Sequence, residues 1–469
     1  MKTLLIILSL GFWVVSYSQS DGLNLPTQNP DSVRSELNEM FAELRKKHPG
    51  FYRYNEIEKF DRIIDSTIST IQSPINELEI LRKTKPLFAK IGCLHTGIHL
   101  SDETENYLNE DPNFLPFTLY FYQGKAIVWK SFDEESAVKT GSIISKINGR
   151  EIPEIYNQLL QNIAMDGYNE TGKYKLLQYT FPQWYRNIIE VAESFEVELE
   201  NGKKYKVRGV KEEKIFGYND IVNKPMSLRI IDSIAIIKIP SFANSYLKSH
   251  DQKFRRTIES YLETIKEQDI QTILFDLRAN SGGSDSNPAW LSSIFLDEPF
   301  RYWDRIEITE SVAKDISGFK RLFYDNPKFE NGEWLWSTKG LFSKEFKFTR
   351  VQEPSKISYD GGVYILADGM CLSSCSDFTA IMQTNKRAIV LGEETGGGYQ
   401  GNTSGLIPSA QLECGLVIDV PLLMYFNSVE KDKNMGRGTI PDFELQPSFE
   451  ELSKDEEYLE RVLEKIKTH

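Results

Sequence analysis

A run of small polar residues around Ser373 is the strongest candidate for chemistry in this chain. Ser373 lies in MCLSSCSDF, residues 370–378, between an apolar segment at 363–367 and a segment at 377–383 that is predicted to be helical. A serine at a strand-to-helix turn can hold its hydroxyl exposed while backbone N–H groups of the next turn face the group that it attacks. Ser373 is therefore a candidate nucleophile. The alternative is a polar turn in which residues 373–376 only cap the helix.

A second candidate segment is DLRANSGG, residues 276–283, which directly follows a short apolar run at 273–275. Paired glycines at the end of a strand let the backbone approach a ligand closely, and their N–H groups can point at developing negative charge. The alternative is an ordinary glycine turn in which Asp276 and Arg278 form a structural ion pair.

Histidines are few, five in 469 residues, so candidate bases are few as well. His95 lies in GCLHTGIH, residues 92–99, in a predicted turn between a helical region and a short strand, and it is the best candidate for a general base. His99 is the competitor, and a purely structural histidine is the alternative. The other three lie beside or on predicted helices or at the chain end: His48, His250 and His469.

Length and composition limit the class of protein. A chain of 469 residues predicts two or three domains, and 40% apolar with 26% charged residues is typical of a globular protein. The net charge of -13 argues against nucleic acid or an anionic membrane as partner, since both require a basic face.

The first residues are typical of a signal peptide. Lys2 precedes an apolar stretch at 4–15, and small residues at 16–18 predict cleavage before Gln19. The apolar stretch is too short for a comfortable membrane span, and no later segment approaches one. We therefore expect export to the periplasm or the extracellular medium, with no membrane span in the mature chain.

The rest of the chain shows three successive patterns of apolar and polar residues. Residues 29–90 carry helical stripes of apolar residues, and Ser73-Pro74 fits the N-cap and first position of the third helix. From 116 to 210 the pattern is β-rich, with a hairpin predicted at Asn201-Gly202. From 226 onward apolar strands alternate with helices, which predicts an α/β layer. The predicted strands there lie at 234–239, 273–275, 363–367, 388–391 and 416–420.

Together these segments resemble the carboxy-terminal-processing family of serine peptidases, which includes the tail-specific proteases and the tricorn core. Residues 276–283 match the DLRxNxGG run of that family, and RAIVLGEETGGG at 387–398 is similar to its strand and glycine loop. GRGTIPD at 436–442 matches its closing GxGxxPD element. The run at 141–149, GSIISKING, is similar to the GDxIxxING run of the PDZ-like module in the family.

The resemblance implies a mixed α/β fold in which a crotonase/ClpP-like core follows two smaller parts. The expected divisions are a signal peptide at 1–18, an N-terminal helical region carrying His95 at 19–110, a PDZ-like module at 111–215 and the peptidase core at 216–469.

The resemblance also implies roles for individual residues. It places Ser373 at the nucleophile position, with Gly283 and Ser374 donating N–H groups to the oxyanion. The glycines expected to contact substrate are Gly282, Gly396 and Gly397.

The base is the point at which branches of the family differ. Bacterial tail-specific members use a lysine in the glycine loop, and the equivalent position here is Gly398. The tricorn-like branch uses a histidine, and His95-Thr96-Gly97 resembles its HTG element. His95 is thus the implied base, and Glu430 is the implied carboxylate that orients it. Glu393 and Glu394 are the alternatives.

The four cysteines allow three disulfide pairings, since an exported chain can form them. A bridge between Cys371 and Cys375 would restrain the turn around Ser373, and buried free thiols are the alternative. A zinc site is less favoured, because no CxxC pair or paired histidines accompany these cysteines.

We therefore expect an exported serine endopeptidase that acts on a peptide or unfolded protein and requires no metal or organic cofactor. A catalytically silent peptide-binding protein with the same fold is the competing prediction. A lipase-like α/β-hydrolase is disfavoured, because no GxSxG elbow surrounds Ser373 and the histidine precedes the serine.

Overall fold

The computed structural model describes residues 23–215, 217–316, 325–337 and 348–469. The predicted signal peptide lies outside these residues. No helix in the described part of the chain combines the length and the apolar character needed to cross a bilayer.

The first part of the described chain is mainly helical. Its elements are β1 (Thr27–Gln28), α1 (Pro30–Lys47), α2 (Ile57–Ser69), β2 (Ile75–Asn76), α3 (Glu77–Ile91), β3 (Gly97–His99) and α4 (Asp102–Asn109). The apolar stripe of α1 is buried against α2 and α3, as its helical spacing predicts.

The predicted start of α3 at Ser73-Pro74 is wrong. The helix begins at Glu77, where the Asn76 side chain accepts the Glu79 N–H and the Glu79 carboxylate accepts the Asn76 N–H. This capping box satisfies two donors at once, and the residues before it pair with β1 instead.

The second part is a β-rich module closed by two helices. Its elements are β4 (Phe117–Tyr122), β5 (Lys125–Ser131), β6 (Ile143–Ile147), β7 (Arg150–Glu151), α5 (Ile152–Leu160), α6 (Thr171–Trp184), a π-helical turn (Tyr185–Ile189), β8 (Ser194–Leu199), β9 (Lys204–Arg208) and a 3₁₀ turn (Glu212–Lys214). The hairpin predicted at Asn201-Gly202 is confirmed, since β8 and β9 pair antiparallel across it. The core of this module includes Met370 and Leu372, so the module packs directly on the turn that carries Ser373.

The third part alternates strands and helices. Its elements are α7 (Tyr218–Val222), β10 (Ser227–Ile231), β11 (Ile234–Lys238), α8 (Asn244–Ser249), α9 (Phe254–Glu267), β12 (Thr272–Asp276), α10 (Ser286–Phe295), β13 (Trp303–Ile308), α11 (Glu310–Asp315), β14 (Lys328–Glu330), β15 (Glu333–Leu335), β16 (Gly362–Ala367), α12 (Ser374–Thr384), β17 (Ile389–Gly392), β18 (Thr403–Ser404), β19 (Ser409–Gln411), β20 (Val417–Asp419), β21 (Leu423–Asn427), β22 (Phe443–Glu444), α13 (Phe449–Ser453) and α14 (Asp455–Lys467).

The main sheet of this part has the strand order β10-β11-β12-β16-β17-β22. All neighbours are parallel except β10, which pairs antiparallel at the edge. One face packs against α9, α10 and α12, and the other against α14. The mixed α/β class is therefore confirmed. Chain segments that leave the carboxyl ends of β12 and β16 meet at one edge of the sheet, where parallel sheets bind ligands.

The strand predicted at 416–420 exists, but it does not join this sheet. It is β20, which pairs antiparallel with β19 on one side and with β3 on the other. The pairing with β3 ties the segment after His95 to the last quarter of the chain. Periodicity identifies such a strand but cannot identify its partner.

Candidate active site

Ser373 lies at the turn between β16 and α12 and has φ 52° and ψ -130°. A positive φ is strained for serine, so the surrounding structure must hold it. The Ser373 carbonyl accepts hydrogen bonds from the Asp377 N–H at 3.1 Å and from Ser376 Oγ at 2.6 Å. A disulfide joins Cys371 to Cys375 across the turn. These restraints leave the Ser373 side chain half-exposed at the start of the helix.

His95 lies in the turn between α3 and β3, and its Nε2 is 3.2 Å from Ser373 Oγ. The chain reverses after α3 at Gly92, whose φ of 73° is left-handed, and the Thr96 N–H closes the turn on the Cys93 carbonyl at 3.2 Å. The structure thus brings together two side chains that are 278 residues apart. The competitor His99 is exposed and pairs with Asp419 at 3.1 Å.

Burial lowers the pKa of His95 to about 4, an effect that the Thr403 backbone opposes only in part. The imidazole is therefore neutral at physiological pH, the form that can accept a proton. Its Nδ1 atom is buried and has no hydrogen-bond partner of normal geometry among the described residues.

The diglycine segment lies against Ser373. Gly282 and Gly283 have φ values of 97° and 143°, which favour glycine, and a Cβ at Gly282 would lie 2.9 Å from the Ser373 Cβ. Gly282 is buried and Gly283 is exposed. Within the described residues, the backbone N–H groups of Gly283 and Ser374 donate no hydrogen bond, so both remain able to face an incoming oxygen.

An ion-pair cluster supports this segment from the end of β12. The Asp276 carboxylate accepts hydrogen bonds from Arg278 Nη2 at 2.7 Å and from Lys238 Nζ at 2.9 Å. Burial opposes the ionisation of Asp276, but these two cations hold its pKa well below the usual range. The alternative in which Asp276 and Arg278 form a structural pair is therefore correct for those two residues.

The glycine loop packs against the backbone of the Ser373 turn. Gly396 and Gly397 are both buried, and the Gly397 N–H donates to the Cys371 carbonyl at 3.2 Å. A Cβ at Gly397 would lie 2.9 Å from the Ser373 backbone N. These two glycines, like Gly282, permit close backbone packing behind the nucleophile turn, because any side chain there would displace it.

The structure does not bring Glu430 to His95, which corrects the expected orienting role. The Glu430 side chain is exposed, and its charged neighbour is Lys433 at 3.9 Å. The two alternatives are also engaged elsewhere. Glu393 pairs with Lys175 at 2.9 Å, and Glu394 pairs with Arg437 at 2.6 Å.

Asp166 is the carboxylate that sequence reasoning missed near His95. Its Oδ1 accepts the Leu94 N–H at 3.2 Å and its Oδ2 accepts the Gly398 N–H at 3.0 Å, so it links the histidine turn to the glycine loop. Asp166 is buried, and burial raises its pKa to about 6. No motif surrounds this residue in the segment between α5 and α6, so the sequence carried no signal for it.

Asp377, one turn along α12 from Ser373, is a buried carboxyl group with amide neighbours. It accepts hydrogen bonds from Asn427 Nδ2 at 2.9 Å and from Asn402 Nδ2 at 3.2 Å. Burial, with a contribution from Asp166, nevertheless raises its pKa to about 7.

The replacement Asp377→Asn is expected to remove a pH dependence of stability. Because the pKa of Asp377 rises from 3.8 to about 7 on folding, the folded chain binds more protons between these values, and the free energy of unfolding falls as pH rises through them. Asparagine cannot ionise, so the variant should gain stability relative to the unmodified chain as pH increases. Urea unfolding at pH 5, 6.5 and 8 measures this, with exposed Asp65→Asn as the control. Equal slopes for both variants would contradict the assignment.

Comparisons with known proteins agree with this architecture. Residues 233–445 match the model of peptidase family S41, a stretch that runs from β11 to the end of β22 and contains both Gly283 and Ser373. No curated protein matches the chain.

Three solved structures are among those that match this chain. Mature CPAF is 13% identical, with a TM-score of 0.63 over 92% of this chain and 96% of that one. Mature CPAF complexed with lactacystin is 12% identical, with a TM-score of 0.64 over 92% and 97%. The photosystem II D1 C-terminal processing protease is 10% identical, with a TM-score of 0.43 over 89% and 94%. At these identities, the likeness to CPAF shows a shared fold.

The fold and the family match define a serine-type peptidase. Within that class, residues 233–445 match the S41 family, the carboxy-terminal-processing peptidases, as the sequence motifs predicted.

Proposed function

We propose that this chain is an exported serine endopeptidase in which Ser373 is the nucleophile and His95 is the general base. The observation that carries the proposal is the 3.2 Å separation between His95 Nε2 and Ser373 Oγ. A hydrogen bond of this length is what proton transfer from the hydroxyl requires.

The reaction follows from this geometry. Neutral His95 takes the hydroxyl proton as Ser373 Oγ attacks the carbonyl carbon of a peptide bond, and the backbone N–H groups of Gly283 and Ser374 stabilise the oxyanion. The His95 imidazolium then protonates the leaving amine, which departs and leaves an acyl group on Ser373. Water, deprotonated by His95, hydrolyses this ester and restores the free serine.

The lysine of the tail-specific dyad has no counterpart here, because the loop residue at that position is Gly398 and its N–H donates to Asp166. The Asp166 carboxylate instead fixes the backbone on both sides of the site. It holds the Leu94 N–H, directly before His95, at 3.2 Å. Its role would be to maintain the position of the histidine turn.

The proposal includes a division of the chain into a signal peptide at 1–18, a helical region at 19–110, a PDZ-like module at 111–215 and a core at 216–469. It also includes a peptide or unfolded protein as substrate. The packing of Met370 and Leu372 into the core of the second part supports it, because that contact would let the module present substrate beside Ser373.

Labelling with a fluorophosphonate probe tests the proposal. Such probes phosphonylate an activated serine, so the native chain should incorporate one probe, and peptide mass mapping should locate it on Ser373. The heat-denatured chain is the control and should incorporate none, because the hydroxyl is activated only next to His95. Absence of labelling across pH 5 to 9, together with retained peptide binding, would favour the silent binding protein.

The pH dependence of kcat/KM is expected to show an unusually acidic limb. Burial lowers the pKa of His95 to about 4, and only the neutral imidazole is a base, so activity should persist as pH falls through 6 and should be lost closer to pH 4. The measurement is kcat/KM on a fluorogenic peptide in metal-free buffer between pH 4 and 9. Because the pKa of Asp166 is about 6, the profile of Asp166→Asn identifies any limb due to that residue. A limb at 6.5 or above that Asp166→Asn leaves in place would contradict the low pKa.

A further inference from the structure

Cys93, His95 and Asp166 form a cluster of three potential metal ligands. The Cys93 Sγ atom, a ring nitrogen of His95 and a carboxylate oxygen of Asp166 all lie within 4.8 Å of one another. Cys93 and Asp166 are buried, whereas His95 is half-exposed. Because His95 also lies beside Ser373, the cluster adjoins the active site.

A second observation concerns the hydrogen bonding of the His95 ring. The Nδ1 atom of His95 is buried, and although the Thr403 backbone interacts with the ring, no hydrogen bond of normal geometry reaches this atom among the described residues. A buried polar atom without a well-formed hydrogen bond costs free energy, and a cation bound to this nitrogen would remove that cost. Cys93 is not committed to a disulfide, and its Sγ donates a weak hydrogen bond to the Thr403 carbonyl at 3.3 Å.

We propose that Cys93, His95 and Asp166 form an inhibitory site for a thiophilic divalent cation, for which Zn²⁺ is the probe. The inhibition rests on the proposed function of His95. Thiolate, imidazole and carboxylate are all zinc ligands, and a three-residue set leaves a fourth position for water. The sulfur ligand disfavours Mg²⁺ and Ca²⁺, which prefer oxygen. On binding, the Cys93 thiol releases its proton to solvent, and the two anionic ligands neutralise the ion.

Either mode of histidine ligation would disable the base. A cation on Nδ1 leaves the proton of the neutral imidazole on Nε2, so Nε2 cannot accept the Ser373 proton. A cation on Nε2 occupies that lone pair directly and displaces Ser373 Oγ from its position at 3.2 Å. Zinc bonds of about 2.0–2.3 Å require the three side chains to rotate closer together than their present spacing.

Inhibition of the full chain tests the proposal. After treatment with EDTA, added Zn²⁺ should reversibly slow both peptide cleavage and fluorophosphonate labelling, whereas Mg²⁺ should have no effect. Cys93→Ser should raise the Zn²⁺ concentration for half-inhibition by about tenfold or more, measured against the metal-free rate of that variant. Cys414→Ser is the matched control, because Cys414 is the other buried free cysteine, and it should respond like the unmodified chain. Equal sensitivity of Cys93→Ser and Cys414→Ser overturns the proposal.

Binding of Co²⁺ provides a readout that does not depend on peptidase activity. A thiolate-to-cobalt charge-transfer band should appear for the full chain and for Cys414→Ser and should be absent for Cys93→Ser. If Cys93→Ser does not fold, Asp166→Asn should weaken Co²⁺ binding by about tenfold or more. No band, or an unchanged band in these variants, overturns the site. A chain that binds Co²⁺ through Cys93 but neither cleaves peptides nor reacts with the probe would refute the proposed function and leave the metal site standing.

Discussion

Replacing Ser373 by alanine is expected to lower kcat/KM for peptide hydrolysis by about 10⁴-fold or more. The methyl group cannot form the acyl-enzyme, so any residual rate must come from water attacking a substrate polarised by the N–H groups of Gly283 and Ser374. The measurement is initial rate on a fluorogenic peptide at pH 7.5, with active-site titration of the unmodified chain to fix its concentration.

Two controls separate lost chemistry from lost structure in this experiment. Ser66→Ala, at an exposed position on α2, should retain the unmodified rate. Thermal unfolding of Ser373→Ala should remain close to that of the unmodified chain, because the Ser373 side chain is half-exposed and, among the described residues, its hydroxyl has His95 as its hydrogen-bond partner. A folded Ser373→Ala variant that cleaves within about tenfold of the unmodified rate would show that another nucleophile acts.

Replacing His95 by alanine is expected to reduce kcat/KM to a similar extent, by about 10⁴-fold. Without the imidazole, the Ser373 hydroxyl has no acceptor for its proton and no donor for the leaving amine. His99→Ala is the matched control: His99 lies four residues further on, is exposed and pairs with Asp419, so its loss should leave the rate unchanged.

The double variant distinguishes a functional pair from two independent contributions. If Ser373 and His95 act as a unit, the variant lacking both should be no slower than the slower single variant, since the second replacement removes nothing further. Losses that multiply would show that His95 contributes to folding or to substrate binding instead of accepting the serine proton.

Local features of the sequence predicted much of the fold and part of the site. The strand before residue 276 and the hairpin at Asn201-Gly202 follow from periodicity and turn chemistry, which act over a few residues. The same local logic selected the wrong start for α3, because Ser73-Pro74 and Asn76 are both acceptable caps and only the pairing of Ile75–Asn76 with β1 decides between them.

The surroundings of His95 show where sequence reasoning stopped. Glu430 lies in the C-terminal stretch where the resemblance predicts the orienting carboxylate, yet its side chain is exposed to solvent. Asp166 lies in no recognisable motif, yet its carboxylate accepts a hydrogen bond from the backbone next to His95. Three disulfide pairings were open until the turn itself brought Cys371 and Cys375 together, with Cα atoms 5.3 Å apart.

The amino-acid sequence by itself determined the S41 match of residues 233–445, the mixed α/β class, and the candidate nucleophile and diglycine turn, because each depends on residues that are close together in the chain. Only the tertiary structure decided that His95 meets Ser373, that Asp166 joins their supporting loops, and that Glu430 stays apart. Those contacts depend on how the helical region, the β-rich module and the core pack against one another. That packing cannot be predicted from the periodicity or spacing of residues along the chain.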